Sequence, residues 1–126
     1  MDSQARITTP NYPENYDNDL TCTWTITAPP GSRIKVEFVD FDLEGDGNCP
    51  YDFVSIFEGI AARRNVAKKC GTSAGGPYYT SNQMTIEFHT DGSTTKKGFD
   101  ARLTKVSDQE VTENYEDLEE MMKRRF

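Results

Sequence analysis

The sequence is short of several features on which particular classes of protein depend. No run of roughly 18 apolar residues occurs in it, so no membrane-spanning helix is predicted. Basic residues are outnumbered, with 14 Lys and Arg against 21 Asp and Glu and a net charge of −7. Because affinity for nucleic acids comes largely from Lys and Arg placed at phosphates, we do not expect a nucleic-acid ligand.

The N-terminal region lacks the apolar stretch of a signal peptide. The first twenty residues are interrupted by prolines and by charged side chains, among them those of Asp2, Arg6, Glu14 and Asp17. If the protein is secreted, we therefore expect its signal peptide to be absent from this chain.

Groups able to perform catalysis are scarce as well. His89 is the only histidine, and it lies on the polar face of a predicted strand, so no set of histidines can bind a catalytic metal. The sequence contains no G-x-S-x-G motif, and no cysteine is placed as a nucleophile with a neighbouring base. Cys22, Cys49 and Cys70 show no C-x-x-C spacing, which disfavours a zinc site. We expect a protein that is not an enzyme.

What is present is typical of one folded domain. Hydrophobic residues make up 35% and aromatic residues 11% of the 126 positions, which is enough for a core. Short runs rich in Val, Ile, Thr and Phe alternate between apolar and polar residues, as half-buried strands do, at 21–27, 33–38, 84–89 and 99–104. Turn-forming Pro, Gly, Asn and Asp separate these runs. The pattern predicts an all-β fold, an antiparallel β-sandwich of two sheets.

The last twenty residues follow a different pattern. Apolar side chains recur there at intervals of four, three, four and four, at Val111, Tyr115, Leu118, Met122 and Phe126. This spacing predicts a short C-terminal helix, and Ser107 with Glu110 fits a capping box at its start. Residues 107–126 hold seven acidic and three basic residues. We therefore predict a domain over 1–106 and a helical tail over 107–126 that serves as a linker or an assembly segment.

The order of the motifs resembles that of a CUB domain, an extracellular module of complement proteases, tolloid-type metalloproteases, spermadhesins and many other secreted proteins. The motifs that carry the resemblance are TTPNYPENY at 8–16, CTWTITAPPGSRIKVEF at 22–38, FDLE at 41–44, CPYDFVSIFEG at 49–59, CG at 70–71, SNQMTIEFHTDGS at 81–93 and KGFDARL at 97–103. The resemblance spans residues 6–106 and implies a jelly-roll-like sandwich in a secreted, extracellular protein.

The resemblance also implies a pairing for the cysteines, of which sequence alone allows three. The family pattern pairs Cys49 with Cys70 and pairs the position of Cys22 with a cysteine upstream of the NYP motif, where this chain has none. Three explanations for the missing partner of Cys22 remain open. The chain begins inside the natural domain, Cys22 is a buried small apolar residue that needs no partner, or it forms a bridge to another chain.

A calcium site at one end of the sandwich is implied by the same resemblance. The matching positions are the carboxylates of Glu44, Asp52 and Asp91, with Tyr16 beside them as a hydrogen-bond donor that positions Glu44. Backbone carbonyls near Gly92 or Ser93 and water would complete the six to eight oxygens that Ca²⁺ prefers. The alternative is ordinary: an Asp before Gly is first a turn residue, and the other acids could be solvated loop charges.

The function implied by the resemblance is recognition of an extracellular protein, without catalysis. Related domains hold a Lys or Arg side chain of the partner with the acids of the calcium site, and the matching residues here are Glu44, Asp52 and Asp91 together with Tyr16. The alternatives are the accessory region of a secreted protease, a structural matrix component that self-associates through the tail helix or Cys22, and a spermadhesin-like carbohydrate binder.

Overall fold

The computed structural model describes residues 3–45 and 47–107, and these form strands, turns and loops with no helix among them. The strands are β1 (Gln4–Thr8), β2 (Thr21–Thr27), β3 (Ser32–Asp42), β4 (Phe53–Glu58), β5 (Arg64–Lys69), β6 (Tyr78–Thr80), β7 (Gln83–His89) and β8 (Gly98–Ser107). Within this part of the chain no helix has the length and apolarity that crossing a bilayer requires.

The strands form two four-stranded sheets. Sheet I has the order β1-β8-β3-β6 and sheet II the order β2-β7-β4-β5. Every neighbouring pair of strands is antiparallel. The prediction of an all-β sandwich of two antiparallel sheets is therefore confirmed.

The core lies between the sheets and follows from the alternation of apolar residues along the strands. Ile34 and Val36 of β3 and Ile56 and Ile86 of sheet II are fully buried. Phe99 of β8 is also fully buried, and its ring meets three other aromatic rings edge to face, those of Trp24, Phe38 and Phe88. Burying one such side chain contributes about 1.5–3 kcal/mol, so the two sheets hold each other through this layer.

Two strands depart from the simplest form of the pattern. The apolar face of β2 is only half-buried, because β2 is an edge strand of sheet II and its neighbour covers it on one side only. In β3 the register to β8 shifts between Phe38 and Asp40, and Val39 at this bulge is 62% exposed. Alternation alone therefore overstates the burial of β2 and does not predict the bulge in β3.

The C-terminal prediction reaches only partly into the described residues. Strand β8 includes Ser107, which the sequence pattern assigned to the start of the helix. The predicted helix and its apolar stripe lie in 108–126, outside the residues that the structure describes. The division into 1–106 and 107–126 stays a prediction.

Three loops meet at one end of the sandwich. The β1–β2 loop carries Tyr16, the β3–β4 loop carries Glu44 and Asp52, and the β7–β8 loop carries Asp91. The backbone N–H of Asp19 donates to the carbonyl of Asp91 over 2.8 Å, which joins the first of these loops to the third.

A disulfide joins the β3–β4 loop to the end of β5. It pairs Cys49 with Cys70, whose Cα atoms lie 5.5 Å apart, as the resemblance implied. Closing a loop of this length contributes roughly 3 kcal/mol in the chain-entropy account.

Candidate metal centre

Asp52 lies at the centre of the loop end, with no exposed surface. Its Oδ2 accepts a hydrogen bond of 2.5 Å from the hydroxyl of Tyr16, and its Oδ1 accepts one of 2.9 Å from the backbone N–H of Asp91. Each carboxylate oxygen therefore has a donor, and the group is fixed in direction before any ligand arrives.

Tyr16 connects two of the acids. Its ring is 1% exposed and packs edge to face on Phe88 at 5.1 Å between ring centres. The hydroxyl donates to Asp52 and accepts a bond of 3.1 Å from the backbone N–H of Glu44. Burial, followed by the bond to Asp52, raises the pKa of Tyr16. The expected contact between Tyr16 and Glu44 is present, but Tyr16 is the acceptor in it, and its own proton goes to Asp52.

Glu44 is held differently. Its Oε1 is buried without a hydrogen-bond partner, the only such side-chain oxygen or nitrogen found in residues 3–45 and 47–107. Burial raises the pKa of Glu44, a hydrogen bond with Thr94 opposes that rise, and the charges of Asp91 and Asp52 add to it. A buried oxygen with no donor is costly unless a cation occupies the space beside it.

The three carboxylates converge. One oxygen each from Glu44, Asp52 and Asp91 lies within 4.8 Å of the others. Burial is also the main cause of the raised pKa of Asp52, and the nearby charge of Asp91 contributes. Hard oxygen donors at this separation suit a Ca²⁺ ion, which prefers carboxylate and carbonyl oxygens at about 2.3–2.6 Å. The residues present therefore fit the ion that the resemblance implied.

The other predicted members of the site lie beside this cluster. The backbone N–H of Ser93 donates to Oδ1 of Asp91 over 3.3 Å, which holds the turn that contains Gly92. The side chain of Ser93 is exposed, and its role as a calcium ligand stays a prediction.

Some residues that shape the site were missed in the sequence. Thr90 is 1% exposed, and its hydroxyl accepts from the N–H of Leu20 and donates to the carbonyl of Asp17. Thr94 bonds the carboxylate of Glu44 and has a φ of 63°. A threonine at the end of an alternating strand was the available signal for Thr90. No local pattern marks Thr94, because its partner is fifty positions away.

The remaining candidates lie away from the cluster. The ring of His89 stacks on that of Phe53, its cross-strand neighbour in sheet II, at 5.1 Å between ring centres. Cys22 is a free, partly buried thiol on edge strand β2, and burial raises its pKa.

Comparison with known proteins places this geometry in context. The CUB domain family model matches residues 1–103. The chain is 38% identical to human Tolloid-like protein 1 over 97 residues, covering 75% of this chain and 10% of that protein. It is 40% identical to human Procollagen C-endopeptidase enhancer 1 over 103 residues, covering 79% of this chain and 23% of that protein. The chain thus spans a small part of the length of these relatives.

A solved structure extends the comparison to the metal. The MASP-1 CUB2 domain bound to Ca²⁺ superposes with a TM-score of 0.69 at 27% identity, covering 81% of this chain and 92% of that one. This chain, with its two four-stranded sheets and its cluster of three acids, is therefore similar to a domain whose solved structure contains Ca²⁺.

Proposed function

Since the chain belongs to the CUB domain family, we propose that it is a non-catalytic, extracellular recognition module whose acidic loop end binds Ca²⁺ and, through it, a basic side chain of a partner protein. The observation that carries this proposal is the convergence of Glu44, Asp52 and Asp91 within 4.8 Å. The extracellular occurrence of related CUB domains supports it.

The chain's own residues prepare the site. Tyr16 directs Asp52 through its hydroxyl proton, and the backbone N–H of Asp91 fixes the second oxygen of Asp52. Glu44 presents Oε1 without a donor, so this oxygen is available for a cation. Bound calcium would supply positive charge that offsets the repulsion among the three carboxylates.

Recognition would use the oxygens that face outward. Glu44 and Asp91 are partly exposed, whereas Asp52 is buried. A Lys or Arg side chain of the partner can therefore donate charge-assisted bonds, typically about 2.7–2.9 Å long, to the two outer carboxylates. Asp52, being buried, would contact the ion and not the partner's side chain.

Calorimetric titration with CaCl₂ tests the metal step of the proposal. The wild-type chain should bind one Ca²⁺ ion, and Asp91→Ala should lose the binding heat because a charged ligand is removed. Asp17→Ala is the matched control, since it removes an exposed acid from the same end without touching the cluster. Equal binding by Asp91→Ala and wild type would remove the basis of the proposal.

A second candidate function is that of an accessory region of a secreted protease. A relative named as a protease supports it: the chain is 40% identical over 99 residues to Blastula protease 10 of Paracentrotus lividus, covering 77% of this chain and 16% of that protein. Sequencing of the natural transcript distinguishes the two: a protease domain in the same reading frame supports the second candidate, and a frame without one contradicts it.

A further inference from the structure

The Cys49–Cys70 bridge anchors the loop that supplies two of the three carboxylates of the metal centre. Cys49 is buried in the β3–β4 loop, between Glu44 and Asp52 and three residues before Asp52. Cys70 follows directly after the last residue of β5. The bridge therefore ties this loop to the end of a sheet II strand, at a point that lies between its two acids in the chain.

Glu44 is held through both of its chain neighbours by the residues that follow β5. The backbone N–H of Leu43 donates to the carbonyl of Gly71 over 2.8 Å. Gly45 packs against the bridge, since a Cβ placed on it would lie 3.5 Å from Sγ of Cys70. Because both neighbours are held in this way, the backbone of Glu44 takes its position from Cys70 and Gly71.

Gly71 determines how closely the chain after β5 approaches this backbone. Its φ is 78°, in the left-handed region that favours glycine. A Cβ placed on Gly71 would lie 3.1 Å from the carbonyl oxygen of Gly45, which is closer than ordinary van der Waals contact. A larger residue at position 71 would therefore displace Gly45, and Glu44 would move with it.

The position of this backbone matters because Oε1 of Glu44 has no hydrogen bond to direct it. Both carboxylate oxygens of Asp52 accept from donors, whereas Oε1 of Glu44 is buried without one. Oxygen ligands of Ca²⁺ lie at about 2.3–2.6 Å, so a shift of a few tenths of an ångström exceeds that range. Displacing the backbone of Glu44 would therefore weaken a ligand without removing it.

We propose that the Cys49–Cys70 bridge regulates the calcium affinity of the metal centre, which rests on the calcium binding proposed above. Gly71 is the positioning residue through which the bridge acts on Glu44. A dithiol reductant breaks the S–S bond, leaves a thiol on each cysteine and is itself oxidised to a disulfide. The β3–β4 loop then loses its covalent tie to β5. Changes in the residues that support metal ligands typically lower affinity by roughly 10–100-fold, and we expect a loss in this range.

Two glycine variants test the positioning with the bridge intact. Gly71→Ala adds a methyl group against Gly45. Gly31→Ala is the matched control, because Gly31 has a similar φ of 86° but a Cβ placed on it would meet nothing within 4 Å. In calorimetric titrations with CaCl₂, the dissociation constant should rise roughly tenfold or more in Gly71→Ala and stay at the wild-type value in Gly31→Ala. Equal affinities of the two variants would overturn the proposal.

Removal of the bridge tests the regulation itself. Cys49→Ala/Cys70→Ala should bind calcium roughly 10–100-fold more weakly than wild type, whereas Cys22→Ala, which removes only the free thiol, should bind as wild type does. Urea denaturation verifies that each variant unfolds cooperatively. A folded chain without the bridge that keeps wild-type affinity would overturn the proposal. If the double variant does not fold, the two glycine variants decide the outcome.

Nuclear magnetic resonance in chelator gives a readout that does not involve the ion. The backbone N–H of Glu44 donates to the hydroxyl of Tyr16 over 3.1 Å, so its signal reports the position of this backbone. The signal should shift in Gly71→Ala and stay in place in Gly31→Ala. An unshifted signal in Gly71→Ala would contradict the positioning role. A wild-type chain that shows the shift pattern but no calcium binding would contradict the calcium proposal instead.

Discussion

The hydroxyl of Tyr16 donates a 2.5 Å hydrogen bond to Oδ2 of Asp52, a residue 36 positions later in the chain. The bond links the β1–β2 loop to the residue just before β4, and it directs a carboxylate that has no exposed surface. The same hydroxyl accepts from the N–H of Glu44, so one buried oxygen atom joins two of the three acids. The shape of the metal centre therefore depends on a residue that need not touch the metal.

Tyr16→Phe should destabilise the domain and weaken calcium binding. The substitution leaves Oδ2 of Asp52 buried without its donor, which costs about 1–3 kcal/mol. Urea denaturation measures the loss of stability, and calorimetry measures the loss of affinity. Tyr12→Phe is the matched control, because it removes a 2.6 Å hydroxyl bond to Asp40 away from the cluster. Equal calcium affinities of Tyr16→Phe and wild type would show that the tyrosine does not position the site.

The cysteines should be distinguishable by mass. The native chain should be two hydrogens lighter than its reduced form because of the Cys49–Cys70 bridge. Cys22 is partly buried and its thiol pKa is raised, so it should react with iodoacetamide mainly after unfolding. A mapped bridge from Cys22 to Cys49 or Cys70 would contradict the fold, whereas a Cys22–Cys22 bridge between chains would favour the assembly alternative.

Asp100 should contribute stability that acid removes. Its bonds to Arg102 and Arg6 lower its pKa to about 2 from an ordinary value near 4. A lowered pKa means that the contribution is complete above the unfolded value and disappears as the pH falls through about 2. Since both arginines are half exposed, solvent screening limits the contribution to on the order of 1–2 kcal/mol.

Asp100→Asn makes this contribution measurable. The variant should be less stable than wild type at pH 7, and the difference should shrink as the pH is lowered from about 4 toward 2. Guanidinium chloride is unsuitable for this comparison because it screens ion pairs, so urea denaturation at several pH values is the measurement. A difference that stays constant down to pH 2 would assign the effect to packing rather than to charge.

Much of the fold could be predicted because strand side chains repeat with a period of two. That period assigns Ile34 and Val36 to the core and Arg33 and Lys35 to the surface without knowledge of any partner strand. The half-burial of Trp24 could not be predicted in this way, since it depends on β2 being an edge strand.

The site shows the same limit more clearly. The positions of Glu44, Asp52 and Asp91 followed from a resemblance, whereas the donors to Asp52 come from residues 36 and 39 positions away. The shared carboxylate of Arg6 and Arg102 likewise joins residues 94 positions apart in the chain. Contacts of this kind arise only when the sheets have formed, and no local pattern in the sequence predicts them.

Removal of residues 107–126 should leave the sandwich folded. Strand β8 pairs with β1 over Asp100–Thr104 and with β3 over Gly98–Ser107, and the buried core lies between Ile7 and Leu103. Thermal unfolding followed by circular dichroism should stay cooperative in the truncated chain. Loss of the cooperative transition would show that the segment belongs to the core and that the domain boundary is wrong.

The central claim is that the acidic loop end holds calcium, and thermal unfolding with and without the ion tests it most directly. Extracellular modules bind Ca²⁺ with dissociation constants of about 0.1–1 mM, so at ten times that constant the folded chain should gain roughly 1.4 kcal/mol. The melting temperature should then rise by several degrees, roughly 5 °C, with calcium and fall again with a chelator. Asp91→Ala should lose this increment, whereas Asp17→Ala should keep it. A wild-type chain that melts at the same temperature in millimolar calcium and in chelator would contradict the account, and its three carboxylates would then be ordinary loop charges.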